Sequence, residues 1–134
     1  MTIHQSIEFF TAMNLAIVGL SHFLQPKIWV DFFLFLHSKG HVGNIFNALI
    51  AVGMGTFILA FHFVWDFPRV LITVYGLLQI IKGLLYLTVP SIGLKSIGKV
   101  TVKGALKFRW VGLVMFLLSI GIVYGLVIEG AFSL

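Results

Sequence analysis

Lys82 is the residue of this chain least at ease with its neighbours. It stands inside a continuous apolar run, eight residues before Pro90, about 12 Å along a helix at 1.5 Å per residue. An ionisable group at such depth marks an ion or substrate path by default. The competing reading is that its long side chain reaches back to the interface and keeps the ammonium wet. Gln79 lies three residues earlier, near the same helix face. His22, Asn44 and Asn47 complete the polar residues of the apolar runs that could share an intramembrane site. Amides at such positions ordinarily bond across helices as glue.

The five histidines, His4, His22, His37, His41 and His62, raise a haem or metal reading. A bis-histidine haem in a bundle needs two imidazoles at matching depth on facing helices. His22 and His62 fall at opposite ends of their runs, which leaves His22 with His37 or His41. There is no HExxH motif and no cysteine for zinc or iron–sulfur ligation. No acid sits deep in a run: Glu8 and Glu129 are near run ends, and Asp31 and Asp66 are in connections. That argues against a carboxylate exchanger. Neither a P-loop, a dinucleotide fingerprint nor a nucleophile elbow occurs. No catalytic residue, metal or cofactor is therefore predicted, with a haem- or quinone-binding redox subunit kept as a further alternative.

The elements that must position these residues are membrane spans. Of the 134 residues, 60% are hydrophobic and 10% charged, and mean hydropathy is +1.10. Soluble domains are about half apolar and a quarter charged. A span needs about 20 apolar residues, and four runs qualify: Ile7–Leu24, Val42–Trp65, Val70–Val89 and Trp110–Ile128. The runs are continuous instead of alternating, so the expectation is a single all-α domain, a four-transmembrane-helix bundle. The segment before the first run has no Lys or Arg, and no small-residue cleavage site follows it, so the run is read as a retained span.

Charge orients the bundle. The net charge of +5 sits between apolar runs, which points to a bilayer and away from nucleic acid. Lys27 and Lys39 lie in the first connection, and Lys95, Lys99, Lys103, Lys107 and Arg109 in the third. Seven basic residues thus lie on one side, against Arg69 alone on the other. The positive-inside rule places both basic connections in the cytoplasm and both termini outside, in a plasma (bacterial inner) membrane.

An offset of 64 residues superposes Ile17 on Ile81, Gly19 on Gly83, Leu20 on Leu84, Pro26 on Pro90 and Lys39-Gly40 on Lys103-Gly104. The expectation is two parallel repeats, about 6–65 and 70–128, each a span, an amphipathic connection and a second span. Pro26 suits the first turn of a short helix with an aromatic face. After Pro90, Ser91 and the lysines at 95, 99, 103 and 107 form one ridge if helical, suited to lipid headgroups. Gly93, Gly98, Gly104 and Val100-Thr101-Val102 weaken that helix.

Spans associate through small-residue faces. Those faces are Ala12 and Ala16 in the first span and Asn47, Ala51 and Gly55 in the second. Gly76 and Gly83 mark the third, and a Gly121–Gly125 GxxxG the fourth. The simplest use of the GxxxG is within the bundle, and the second is contact with another subunit. Gly19-Leu20-Ser21-His22-Phe23-Leu24-Gln25-Pro26 and Gly76-Leu77-Leu78-Gln79-Ile80-Ile81-Lys82-Gly83, with Pro90 beyond, resemble the first and third spans of DoxX-like small membrane proteins. The resemblance implies four spans and a place among membrane redox systems and accessory subunits. Taken together, the leading expectation is a non-catalytic subunit of a larger membrane complex or homo-oligomer. The alternative is a small transporter or channel with a polar path near Lys82.

Overall fold

The computed structural model describes residues 1–133. Among these the fold is all-α, with four helices long and apolar enough to cross a membrane. They are α1 (Ile3–Leu24), α3 (His41–Phe61), α4 (Val70–Thr88) and α6 (Ala105–Ile128). Two short helices, α2 (Pro26–Ser38) and α5 (Pro90–Ile97), cross the end that carries the basic connections, and a 3-10 turn at Val102–Gly104 leads into α6.

Three run boundaries move by four residues or more, and for the first two the local reason is visible. The first helix starts four residues before Ile7 because Thr2 and Gln5 form a capping box. Thr2 Oγ1 accepts from the Gln5 amide at 3.2 Å, and Gln5 Oε1 accepts from the Thr2 amide at 2.9 Å. The second span stops at Phe61, not Trp65. There the Thr73 hydroxyl takes both backbone groups of Val64, at 3.1 and 2.8 Å, so the chain leaves the helix with its polar groups satisfied. The fourth begins at Ala105, five residues before Trp110.

Pro26 and Pro90 each open a short helix at its first turn. The lysine ridge does not form as one helix face. Lys95 is on α5, Lys99 lies beyond its end, Lys103 is in the 3-10 turn and Lys107 is on α6. The glycines and the β-branched run break it as their propensities dictate. Gly40 joins α2 to α3 at φ 57°, a conformation that a side chain would strain.

The bundle is built from two close helix pairs, α1 with α6 and α3 with α4. Glycine sets both separations. A Cβ on Gly19 would lie 2.8 Å from the Gly112 carbonyl oxygen and 2.9 Å from the Phe116 nitrogen. One on Gly83 would meet Val52 and stand 3.0 Å from the Ala48 carbonyl oxygen. Gly55 faces Gly76 in the same way. Ala51 is buried beside this α3–α4 seam. Gly121 and Gly125 differ: a Cβ on either would meet nothing within 4 Å, so the within-bundle use expected for this GxxxG is not what the fold has. α6 meets α1 through Gly112 and Ser119 instead.

Candidate functional site

Two polar clusters sit at opposite ends of the bundle. The first lies at the basic end. Lys82 and Tyr86 from α4, Asn47 from α3, Phe33 from α2, Ser96 and Ile97 from α5, Val100, and Phe108 from α6 surround a cavity of about 230 Å³. Lys82 Nζ stands 5.6 Å from the Tyr86 ring centroid, within cation–π range. The Tyr86 hydroxyl donates to Ser96 Oγ at 2.8 Å, which ties α4 to α5. Behind this wall Asn44 Nδ2 donates to the Tyr86 carbonyl at 2.9 Å, across the α3–α4 seam. Its Oδ1 is buried without a partner. Gly93 makes room for it, since a Cβ there would collide with that oxygen.

The structure thus brings Lys82 and Asn47 to one cavity and puts Asn44 immediately behind it. Gln79 does not line the cavity. His22 is held elsewhere: its Nδ1 hydrogen-bonds the Val18 carbonyl at 2.8 Å and its ring stacks on Trp29 at 3.9 Å. Trp29 Nε1 donates to Ser21 Oγ at 2.9 Å and so locks the stack. Phe108 touches both sides, 5.8 Å from the His22 ring and part of the cavity wall. Lys95, Lys99, Lys103 and Lys107 are exposed on separate elements. Arg109 is engaged by the protein, its Nε donating to the Phe23 carbonyl at 3.1 Å, where it caps the end of α1.

The second cluster, at the end where the termini meet, is one that sequence reasoning missed. Glu8 is 4% exposed and His62 is 0% exposed, and Glu8 Oε1 lies 3.1 Å from His62 Nε2. Thr73 Oγ1 stands 3.3 Å from His62 Nδ1. With hydrogen on Nε2, the imidazole donates to the carboxylate; the Thr73 hydroxyl gives its hydrogen to the Val64 carbonyl at 2.8 Å and packs against Nδ1. The His4 ring meets the His62 ring edge-on at 5.8 Å, and His4 Nδ1 lies 3.1 Å from the Phe61 carbonyl. A run that starts at Ile7 puts Glu8 at its end. The capping box moves the helix start back, which carries Glu8 into its second turn and onto the packed face with Thr11 and Ala12. The Thr2-x-x-Gln5 spacing was the signal available.

Among the described residues no group of three or more His, Cys, Asp or Glu could hold a metal ion. The His22 ring packs against Trp29 and Phe108, and His37 Nε2 lies against Gly98. No protein-family model matches the chain, and no curated protein or solved structure does.

Proposed function

We propose that this chain is a non-catalytic integral membrane subunit that joins other membrane subunits, or further copies of itself, through α6. One observation carries the reading. The most apolar window of α6 has the highest mean hydropathy of the four spans, 2.6, yet only 17% of it is buried, against 33% for α1 and α3. On that open surface lies the Gly121–Gly125 pair with nothing against it. Lipid supplies no hydrophobic drive between spans, so close backbone approach over small residues is what joins them. Beside this face, between α1 and α6, is an apolar groove of about 450 Å³ lined by Ala12, Ala16, Phe116 and Tyr124.

The same reading takes the chain as two parallel halves with cytoplasmic basic connections and outward termini, in the plasma membrane. Contacts support the 64-residue offset. Gly19 on Gly112 becomes Gly83 on Ala48, and Ala12 beside Ser119 becomes Gly76 beside Gly55. The resemblance to DoxX-like proteins is consistent with this layout and with an accessory role. A small transporter is the second reading, favoured by the Lys82 cavity. Against it, α3 between Asn47 and His62 turns Ala48, Ala51, Gly55 and Ile58 into a packed interior.

The absence of native cysteine makes the test direct. A benzophenone maleimide on Gly125→Cys, illuminated in native membranes, is expected to crosslink to protein, while the same probe on Gly53→Cys, an open site on α3, gives far less. Adducts to lipid alone from Gly125→Cys would sink the proposal.

A further inference from the structure

We propose that the cavity beside Lys82 holds the acid headgroup of an amphiphile, a carboxylate or phosphate whose hydrocarbon tail stays in the bilayer. The cation there lies over the Tyr86 ring and has no anionic partner among the described residues. Ion pairs among the described residues are Glu8–His62 and Asp66–Arg69, and neither involves Lys82. A half-buried ammonium inside a span is costly unless water or an anion meets it. Asn47 faces it across the cavity. This side chain is 8% exposed and makes no side-chain hydrogen bond among the described residues, so its NH2 is available to an oxyanion. A charged donor and a neutral amide donor on opposing helices form a two-point grip that a lone surface lysine lacks.

The remaining wall decides what accompanies the anion. Tyr86 spends its hydroxyl hydrogen on Ser96 Oγ and so holds α4 against α5. Phe33, Ile97, Val100 and Phe108 are apolar. Oxygens at the Lys82–Asn47 side and methylenes against these four describe an amphiphile. At about 230 Å³ the cavity is below the roughly 300–1,000 Å³ of sites that enclose a whole drug-sized molecule. It suits a headgroup with its first few methylenes. Residues from α2, α3, α4, α5 and α6 all contribute, so the site is built into the fold and does not depend on one flexible side chain. Only one such site is expected per chain. At the positions 64 residues away from Lys82 and Asn47 stand Val18 and Val111, which offer no donor.

The test is native mass spectrometry of the full chain in mild detergent at pH 8, with oleate, oleyl alcohol and inorganic phosphate as probes. One saturable oleate per chain is expected. Oleyl alcohol should bind about tenfold or more weakly, the worth of a charge-assisted hydrogen bond. Lys82→Met should weaken oleate by a similar factor, Lys82→Arg should retain it, and Lys95→Met, on the exposed surface, should leave it unchanged. Val100→Phe narrows the cavity with Lys82 intact and should also weaken oleate, which keeps the proposal testable if Lys82→Met misfolds. Equal binding of alcohol and acid, or full oleate binding in a folded Lys82→Met or Val100→Phe variant, overturns it. Displacement of oleate by equimolar inorganic phosphate also overturns it, by assigning the cavity to a free anion.

Discussion

His62 Nε2 stands 3.1 Å from Glu8 Oε1, and both side chains are all but sealed from solvent. This pair joins α1 to the end of α3, and Thr73 of α4 packs against the other imidazole nitrogen while bonding the Val64 backbone just beyond it. Removing one member leaves the other's buried polar atoms without a hydrogen-bond partner, which costs about 1–3 kcal/mol. His62→Ala or Glu8→Ala is therefore expected to lower unfolding stability in detergent by about that amount. The positions 64 residues on hold Ile72 and Leu126, both buried. The double variant Glu8→Ile/His62→Leu copies them and should recover most of the loss, because replacing both partners of a buried hydrogen bond by well-packed apolar side chains is nearly neutral. Losses that simply add in the double variant would contradict this account of the pair.

Gly19 and Gly112 give a steric prediction. A methyl on Gly19 would stand 2.8 to 2.9 Å from the backbone and Cβ atoms of α6, so the helices must part. Gly19→Ala should destabilise the fold by about 1–3 kcal/mol, the usual cost of overpacking. Gly121→Ala, whose methyl meets nothing, should cost the isolated chain no stability and gain up to about 1 kcal/mol from helix propensity. Thermal unfolding of both variants in the same detergent compares them; equal losses would mean that α6 packs through a different face.

Asn44 and Gly93 should behave as one unit. Gly93→Ala pushes a methyl into Asn44 Oδ1 and must displace the amide from the Tyr86 carbonyl. Asn44→Ala loses that interhelical hydrogen bond, worth roughly 0.6–2 kcal/mol in a membrane bundle. In Asn44→Ala the Gly93→Ala substitution has nothing left to strike, so its added cost should fall well below its cost in the wild type. A double-mutant cycle by unfolding measures that coupling; strict additivity would contradict the geometry.

Gly40 carries a backbone prediction. Its φ of 57° with ψ of −129° is a conformation open to glycine and strained for any residue with a Cβ, so Gly40→Ala should cost about 1–3 kcal/mol despite open space around the site. A loss within experimental error would show that the α2–α3 elbow relaxes freely.

The span count was legible because apolar length is the strongest signal a membrane sequence carries. Pro26 and Pro90 likewise announced the starts of α2 and α5, since ring geometry acts locally. What could not be read depends on side chains from distant segments. Glu8 and His62 are 54 positions apart, and their pairing needs the depth of one helix relative to another. Hydropathy does not report depth to within a turn. The Lys82 cavity was legible only in part. Asn47 and Lys82 stood out as polar residues in apolar runs, whereas Phe33, Val100 and Phe108 looked like any other apolar residue until packing brought them to one wall. The Gly121–Gly125 motif marked a contact face without saying whose, because small residues permit close approach from any helix.

Assembly through α6 is tested most directly by the mass of the particle that mild detergent extracts from native membranes. A chain of 14.9 kDa that works as a docked subunit should emerge in a stable assembly larger than itself. Gly121→Leu with Gly125→Leu should dissolve that assembly while leaving the fold intact. A monodisperse monomer with no co-purifying protein, unchanged by the two substitutions, would contradict the proposal.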